Sequence, residues 1–340
     1  MPDSFSSAAV VGAGSWGTAL AVVLAEVGLP VTLWCNEPAQ AEVMRAGRSN
    51  PEFLPGVALA PAIRVTTGMA DAACHPLIVV VPPSKFVRDV AGQLAAAGPP
   101  PGAVLVSCSK GLESHTGMRM SQVIAEVLPG HPVAVLSGPS HAEEVGRRLA
   151  TACVIGSADA AVAEALQKVF SLGWFRTYTS TDVAGIELGG AIKNVFAIAS
   201  GIVDGLGLGD NAKAALVTRG LAELVRLGTA LGGRVETFMG LSGVGDLMVT
   251  CYSEHSRNHR VGHGLGQGRT LDEVQASIGH MVAEGVPNTA SIHEAARGAG
   301  VSSPIIDQVY AVLYEGKAPA EALAELLARQ PRPEADSGLA

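Results

Sequence analysis

The stretch AAVVGAGSWGTALAVVLAE, residues 8–26, decides the fold of the first half of the chain. A short apolar run leads straight into a glycine motif, and an Ala/Leu-rich segment with helical periodicity follows it. Gly12, Gly14 and Gly17 give the spacing GxGxxG. Between a strand and a helix, the first glycine permits the tight turn, the second lets the backbone approach a pyrophosphate, and the third lets the helix pack closely on the strand. The stretch therefore predicts a dinucleotide-binding turn; a glycine-rich turn without a ligand is the alternative.

The segment VTLWCNE, residues 31–37, supports this prediction because it supplies a second apolar run. Glu37 follows Gly17 by about 20 residues, near the position at which a carboxylate binds the ribose hydroxyls of a dinucleotide.

Up to about residue 180, short β-branched runs alternate with segments of helical periodicity. The runs are apolar at successive positions, which is typical of parallel strands covered by helices on both faces. Strand, helix and strand at this spacing predict an α/β Rossmann-type doubly wound parallel sheet. The predicted strands are AAVV (8–11), VTLW (31–34), LIVVV (77–81), AVLVSC (103–108), VAVLS (133–137) and ACVIG (152–156).

From Asp182 onward the β-branched runs give way to helical periods. Thr270 and Glu273 have the spacing of a capping box, and Ser303 followed by Pro304 predicts the cap and first residue of another helix. The sequence therefore predicts an all-α domain after the sheet. The predicted boundaries are 1–184 for the dinucleotide-binding domain, 185–330 for a helical substrate and catalytic domain, and 331–340 for a flexible tail.

The composition argues against some classes of function. The 340 residues are 48% hydrophobic and 16% charged, which is enough apolar material for about two domains. The formal net charge is −8 and no basic run offsets it, so nucleic acid is not expected as a partner. An anionic ligand would need positive charge concentrated at its own site.

The cysteines point to a reducing compartment. They are odd in number and none forms a CxxC pair, which is typical of reduced thiols in a cytoplasmic protein and predicts no metal site. The first residues, MPDSFSSAAVVGAGSWG, lack a basic segment, so no signal peptide is predicted. No run of about 18 uncharged apolar residues is present, so no membrane span is predicted.

Three predicted strands end in residues suited to a ligand at the carboxyl edge of the sheet, where such sheets bind ligands. LIVVV stops at Pro82, and a proline cannot continue a central strand. Lys110 in SKGLE follows the next strand, and Gly138 and Ser140 in SGPS follow the one after. Lys110 is therefore a candidate for contact with an anion or a carbonyl; a solvated surface lysine is the alternative.

The helical half holds three further candidates. GGAIKNVFAIASGIV, 189–203, places Lys193 among apolar residues, where desolvation lowers the pKa of a lysine and suits it to proton transfer; snorkelling to solvent is the alternative. GLSGVGDLMVTC, 240–251, surrounds Asp246 with apolar residues, which calls for a cationic or hydrogen-bonding partner. SEHSRNHR, 253–260, predicts either a helix start with Arg257 suited to a phosphate or a charged surface turn.

Together these motifs resemble those of bacterial-type NAD(P)-dependent glycerol-3-phosphate dehydrogenases. They are GAGSWGTAL, SKGLE, SGPS, GGAIKNVFAIASGI, DNAKAALVTRGLAE, GLSGVGDL, SRN and EGVPNT, in this order between about residues 8 and 325. The resemblance implies a Rossmann domain and a helical domain, as in 6-phosphogluconate dehydrogenase-like folds, in a cytoplasmic homodimeric enzyme. It also implies reversible hydride transfer between NAD(P)H and dihydroxyacetone phosphate, which supplies sn-glycerol 3-phosphate for phospholipid synthesis.

The resemblance further implies roles for individual residues. Lys193 is the acid/base, and Lys110 and Asp246 fix the catalytic geometry. The implied substrate contacts are Lys110, Gly138, Ser140, Lys193, Asp246, Ser256, Arg257 and Asn258. The implied contacts to NAD or NADP are Ser15, Trp16, Asn36, Lys110, Ala142, Arg257, Val282 and Glu284, beside Gly12, Gly14, Gly17 and Glu37 from the motifs above.

The choice of cofactor stays open at the sequence level. Many members of the family carry Arg or His after the second strand, whereas this chain has Asn36 and Glu37. Glu37 favours NAD because a carboxylate repels a 2′-phosphate, while Arg45 and Arg48 follow closely and favour NADP.

Two other functions remain as alternatives. A β-hydroxyacid or 6-phosphogluconate-type dehydrogenase shares the Lys-Asn pair of the helical domain but binds a carboxylate. A nicotinamide-binding sensor without turnover is the second; Lys110, Lys193 and Asp246 argue against it because a pure binder needs no acid/base.

Overall fold

The computed structural model describes residues 5–278, 282–331 and 333–334. The chain forms two compact units. One contains the residues up to Lys110 and Met118–Val183; the other contains Gly111–Gly117 and the residues from Ala184 onward. The predicted flexible tail, 331–340, falls largely outside the described residues.

The first unit is built on a mostly parallel sheet. Its strands are β1 (Ala8–Val11), β2 (Val31–Trp34), β3 (Ser49–Asn50), β4 (Leu54–Ala58), β5 (Ile63–Thr66), β6 (Leu77–Val80), β7 (Val104–Ser107), β8 (Val133–Ser137), β9 (Thr151–Ser157) and β10 (Phe175–Ser180). Eight of them form one sheet in the order β10-β9-β8-β7-β6-β1-β2-β5, and β3 pairs with β4 separately. Only the β8–β9 pair in the eight-stranded sheet is antiparallel. The predicted α/β doubly wound sheet is confirmed, with one antiparallel pairing that the sequence did not predict.

Helices cover both faces of this sheet. They are α1 (Ser15–Glu26), α2 (Pro38–Gly47), α3 (Met69–Ala73), α4 (Val87–Ala97), α5 (Met120–Val127), α6 (Ala142–Gly146) and α7 (Ala160–Phe170). Ala8 and Val10 of β1 belong to a core shared with α1, α2, α6 and α7. Ala9 and Val11 belong to a second core shared with α3, α4 and α5. Because successive residues of a strand point to opposite faces, an uninterrupted apolar run is needed to serve both cores.

From Ala184 onward, the described residues of the second unit form helices joined by turns and loops, and no strand. Its helices are α8 (Val183–Gly205), α9 (Gly209–Ala230), α10 (Val235–Phe238), α11 (Asp246–Tyr252), α12 (Arg257–Gly266), α13 (Leu271–Ile278), α14 (Gly285–Gly298), α15 (Pro304–Tyr314) and α16 (Pro319–Leu327), with a π-helical turn at Leu241–Gly245 before α11. Leu112, from the loop Gly111–Gly117, packs into the core of this unit.

Helix α8 is the central core helix of the second unit. Every residue from Gly185 to Val203 is buried. By length and composition alone α8 could cross a membrane, but its most apolar window lies entirely inside the protein. That burial is what a core helix shows.

Capping signals predicted the starts of α13 and α15, and both helices begin where predicted, but only one of the two side-chain caps forms. The capping box of α13 forms, since the Thr270 N–H donates to Glu273 at 2.8 Å and the Glu273 N–H donates to Thr270 at 3.3 Å. Ser303 does precede α15, but its side chain does not cap that helix. The buried Glu223 carboxylate of α9 instead accepts the N–H of Ile305 at 2.9 Å.

Candidate active site

The glycine turn after β1 has the geometry that a dinucleotide needs. Gly12 has a φ of +124°, which favours glycine. A Cβ on Gly17 would lie 1.8 Å from the Gly12 carbonyl oxygen, so α1 packs directly against the turn. A Cβ on Gly14 would meet nothing within 4 Å, which leaves open space at the start of α1 where a pyrophosphate can approach. The residues present therefore fit the cofactor.

Two amide side chains hold this turn in place. Asn50 Nδ2 and Gln40 Nε2 both donate to the carbonyl of Ala13, at 2.9 and 2.8 Å. Asn50 also donates to Thr18 Oγ1 at 2.8 Å and is fully buried. Neither amide was identified from the sequence, because nothing in the local pattern shows that Asn50 returns to the glycine turn.

The end of β2 presents Asn36 and Glu37 at an exposed position before α2. Asn36 Nδ2 donates to Glu37 Oε1 at 2.8 Å, which restrains the carboxylate. Arg45 Nε donates to a backbone carbonyl at 3.1 Å, and Arg48 donates to several backbone carbonyls. The two arginines that could have favoured a 2′-phosphate thus have backbone partners within the first unit.

At the carboxyl edge of β7 and β8 the structure brings three predicted residues together. Lys110 Nζ donates to the Gly138 carbonyl at 3.3 Å, and Ser140 Oγ donates to the same oxygen at 3.0 Å. Gly138 has a φ of +140°, and a Cβ there would lie 3.1 Å from the Cα of Cys153. Glycine is therefore required at this turn. The predicted cofactor contact Ala142 begins α6 and is buried.

Lys193 does not snorkel to solvent. It is 5% exposed, and its Nζ donates to Asp246 Oδ1 at 2.5 Å and to Thr250 Oγ1 at 2.6 Å. The partner that the sequence required for Asp246 is therefore this lysine. Thr250 was not identified from the sequence, although it lies one helical turn after Asp246, on the same face of α11.

The SRN motif begins α12, as predicted. Ser256 caps the helix, since its Oγ accepts the His259 N–H at 3.2 Å. Arg257 is the first helical residue, and Asn258 Oδ1 accepts the N–H of Gly285 at 2.9 Å. That bond ties α12 to the start of α14, where the predicted cofactor contact Glu284 lies. Val282, the other predicted contact of this segment, is partly buried.

Glycines bring α12 directly against the helix that carries Lys193. A Cβ on Gly201 of α8 would lie 2.0 Å from the His259 carbonyl oxygen, and one on Gly262 of α12 would lie 1.9 Å from that of Ile198. The two backbones are therefore in contact, and no other residue fits at these positions. This contact fixes how far the SRN motif lies from the Lys193 helix.

Comparisons with known proteins agree with this arrangement. Residues 7–163 match the model of the NAD-dependent glycerol-3-phosphate dehydrogenase N-terminus, and residues 182–324 match that of its C-terminus. The glycerol-3-phosphate dehydrogenase [NAD(P)+] of Geobacter sulfurreducens is 52% identical over 324 residues, which cover 94% of this chain and 96% of the relative. That of Moorella thermoacetica is 50% identical over 333 residues, 98% of each chain.

The chain belongs to the NAD-dependent glycerol-3-phosphate dehydrogenase family. Among solved structures, the glycerol-3-phosphate dehydrogenase of Coxiella burnetii superposes with a TM-score of 0.92 at 38% identity, covering 96% of this chain and all of that one. Membership confirms the predicted family, the 6-phosphogluconate dehydrogenase-like fold class, the oxidoreductase class and the NAD or NADP cofactor.

Within this dehydrogenase, the predicted residues fall into local groups. Lys193 and Asp246 are in direct contact, and Lys110, Gly138 and Ser140 form a second group in the first unit. Ser256, Arg257 and Asn258 share the first turn of α12. The fold adds two residues that the sequence did not identify. Asn50 binds the glycine turn after β1, and Thr250 accepts a hydrogen bond from Lys193.

Proposed function

We propose that this chain reduces dihydroxyacetone phosphate to sn-glycerol 3-phosphate with NADH or NADPH, reversibly, and thereby supplies the backbone for phospholipid synthesis. The observation that carries the proposal is the buried Lys193–Asp246 pair, in the same unit as a helix start that bears Arg257 and Asn258. An acid/base and an anion site in one helical unit suit a phosphorylated ketone.

Lys193 serves as the proton donor in the reducing direction. A nicotinamide cofactor, when bound, would supply the hydride for C2 of the substrate and would take it up in the reverse direction. Lys193 Nζ gives a proton to the substrate oxygen on C2, where negative charge develops, and takes it back during oxidation. Asp246 and Thr250 accept hydrogen bonds from Nζ and so hold the ammonium group in one position.

The start of α12 holds the substrate phosphate. Arg257 supplies a guanidinium, whose donors match phosphate oxygens, and the first N–H groups of a helix have no partner within the helix. Asn258 is oriented by the bond that its Oδ1 accepts from Gly285, so its amide NH₂ faces away from that bond and donates to the phosphate. Ser256 completes the set, and Lys110, Gly138 and Ser140 are further proposed contacts to the substrate.

The first unit supplies most of the proposed cofactor contacts. Gly12, Gly14 and Gly17 take the pyrophosphate with Ser15 and Trp16, and Asn36 and Glu37 take the adenosine ribose. The remaining proposed contacts to the cofactor are Lys110, Ala142, Arg257, Val282 and Glu284.

We also infer that the enzyme is a cytoplasmic homodimer. All five cysteines are free, which suits a reducing compartment. The dimer rests on the family resemblance, and light scattering of the purified protein tests it; a monomer at assay concentration would contradict it.

A substrate panel tests the proposed function. The purified enzyme should oxidise NADH with dihydroxyacetone phosphate, and should show little reduction of NAD with a series of 3-hydroxyacids. Arg257→Ala should raise the KM for dihydroxyacetone phosphate by about 10-fold or more, as expected for a charge-assisted contact, and change the KM for dihydroxyacetone far less. Turnover of 3-hydroxyacids instead would favour the β-hydroxyacid dehydrogenase alternative, and absence of turnover with any ketone phosphate would favour the sensor.

A further inference from the structure

A second polar cluster lies in the helical unit, apart from the Lys193–Asp246 pair. Asp204, near the end of α8, accepts two hydrogen bonds on the same oxygen, Oδ2. Lys213 Nζ of α9 donates to it at 2.6 Å, and His259 Nε2 of α12 donates to it at 2.6 Å. The Lys213 ammonium also lies 4.5 Å from the centre of the Tyr252 ring at the end of α11. Three helices thus meet at one carboxylate, and α11 contacts the lysine that binds it.

The cluster is shielded from water more than a surface ion pair. Lys213 is buried, and the His259 side chain is 12% exposed. Burial raises the pKa of Asp204, but the hydrogen bonds from Lys213 and His259 outweigh it and hold that pKa below its ordinary value. Asp204 therefore stays ionised at neutral pH. Because a carboxylate only accepts hydrogen bonds, His259 must carry its proton on Nε2.

His259 belongs to the first turn of α12, directly after the SRN motif. Its backbone N–H donates to Ser256 Oγ, and its ring donates to Asp204, so the residue is held at both ends. The close backbone approach at Gly201 and Gly262 sets the distance of α12 from α8, but glycines have no side chain that could anchor the rotation of a helix about its axis. The bond from His259 to Asp204 adds such a restraint on the α8 side of the helix, beside the Asn258–Gly285 bond on the α14 side.

We infer that Asp204 and His259, supported by Lys213, are positioning residues that orient Arg257 and Asn258 toward the phosphate of the substrate. The inference rests on the proposed function, in which the SRN motif binds that phosphate. The cluster acts on the rotation of the first turn of α12, and therefore on recognition of the phosphate rather than on proton transfer by Lys193.

Paired variants test this role through substrate recognition. Asp204→Asn and His259→Ala should each raise the KM for dihydroxyacetone phosphate by about 10-fold, the order expected when charge-assisted contacts are misaligned. Their KM for dihydroxyacetone, which lacks the phosphate, should change little, and kcat at saturating dihydroxyacetone phosphate should stay close to that of the wild type. Inhibition by inorganic phosphate should weaken in parallel. His259→Gln, whose amide can still donate to Asp204, should keep the wild-type KM.

Equal changes in the two KM values, unchanged KM values, or a His259→Gln enzyme as impaired as His259→Ala would each overturn the inference. If Asp204→Asn does not fold, the comparison of His259→Ala with His259→Gln tests the inference instead. In both of these variants Asp204 keeps its bond to Lys213, so no buried charge is left unpaired. Arg257→Ala serves as the reference. If Arg257→Ala does not discriminate between the two ketones, the proposed phosphate site fails; if it does and the cluster variants do not, only the positioning role fails.

Discussion

Lys193 and Asp246 form a buried ion pair between α8 and α11, with Nζ and Oδ1 2.5 Å apart and the two side chains only 6% and 2% exposed. The pair links Lys193, the residue proposed to transfer the proton, with the carboxylate of Asp246 at the start of α11. Its burial means that neither charge is stabilised by water, so each depends on the other.

This dependence predicts how stability responds to replacement of the pair. Asp246→Leu and Lys193→Met should each destabilise the protein by about 3–5 kcal/mol, because each leaves one buried charge without its counterpart. The double variant should regain most of that stability, since apolar residues of similar volume replace the whole pair. Denaturant unfolding of the four proteins checks this, and the double variant should remain inactive. Additive losses in the double variant would show that the two charges are not coupled.

The close glycine contact between α8 and α12 predicts that a side chain added there destabilises the protein. Gly262→Ala should destabilise the protein by about 1–3 kcal/mol or more, because the new methyl group would meet the Ile198 carbonyl at 1.9 Å and backbone cannot yield easily. Gly298→Ala is the matched control, since a Cβ at this helical position of α14 meets nothing within 4 Å. It should stabilise the protein slightly, by up to about 1 kcal/mol. Thermal unfolding measures both effects. Equal shifts in the melting temperatures of the two variants would contradict the contact.

Glu223 predicts a pH dependence of stability. Burial raises its pKa to about 7 in the folded protein, against an ordinary value of 4.5, although its hydrogen bonds to the N–H groups of Ile305 and Ile306 act in the opposite direction. The folded state therefore binds this proton more tightly than the unfolded state. Its contribution to stability is complete below about pH 4.5 and is lost as the pH rises through about 7.

Glu223→Gln should remove this dependence. The free energy of unfolding of the wild type relative to this variant should fall by up to about 3 kcal/mol between pH 4.5 and 7, since one pKa unit corresponds to about 1.4 kcal/mol. Glu236→Gln, at an exposed position of α10, controls for the loss of one carboxylate. If the difference in the free energy of unfolding between wild type and Glu223→Gln stays constant or rises from pH 4.5 to 7, Glu223 is ionised in the folded protein throughout that range.

The end of β2 predicts the preferred cofactor. Glu37 is restrained by Asn36, and Arg45 and Arg48 are engaged with backbone carbonyls, so NADH should be used well and NADPH only tolerated. Glu37→Ser should raise kcat/KM for NADPH and lower it for NADH, while Glu164→Ser on the exposed face of α7 should change neither. A wild type that prefers NADPH by more than about 10-fold, or 1.4 kcal/mol, would contradict this.

The interior of the sheet could be predicted from the sequence, but its edges could not. Each predicted strand forms with bounds within one residue, because a buried parallel strand is apolar on both faces and leaves an uninterrupted signal. The strands that were missed in the large sheet, β5 and β10, are its two outermost strands. Their sequences, IRVT and FRTYTS, include polar residues because part of each strand is exposed, and so lack that signal.

The candidate site was partly predictable for a similar reason. Lys193 and Asp246 stand out because a charge in an apolar stretch requires a partner, but the sequence does not say which one. Thr250, the Asp204 cluster and the Glu223 cap all depend on contacts between helices far apart in the chain. These contacts depend on how the helices pack. For this reason the sequence correctly placed Ser303 before α15 but did not show that Glu223, and not the Ser303 side chain, accepts the first N–H groups of that helix.

The most direct test of proton transfer by Lys193 is the kcat of Lys193→Ala with saturating dihydroxyacetone phosphate and NADH. We expect kcat to fall by about 10²–10⁴-fold, the usual contribution of a general acid, with NADH affinity nearly unchanged because the glycine turn after β1 is untouched. Unchanged NADH affinity also shows that the first unit of the variant is folded. A variant that keeps the wild-type kcat would show that Lys193 has only a structural role as the partner of Asp246, and the proposed mechanism would be wrong.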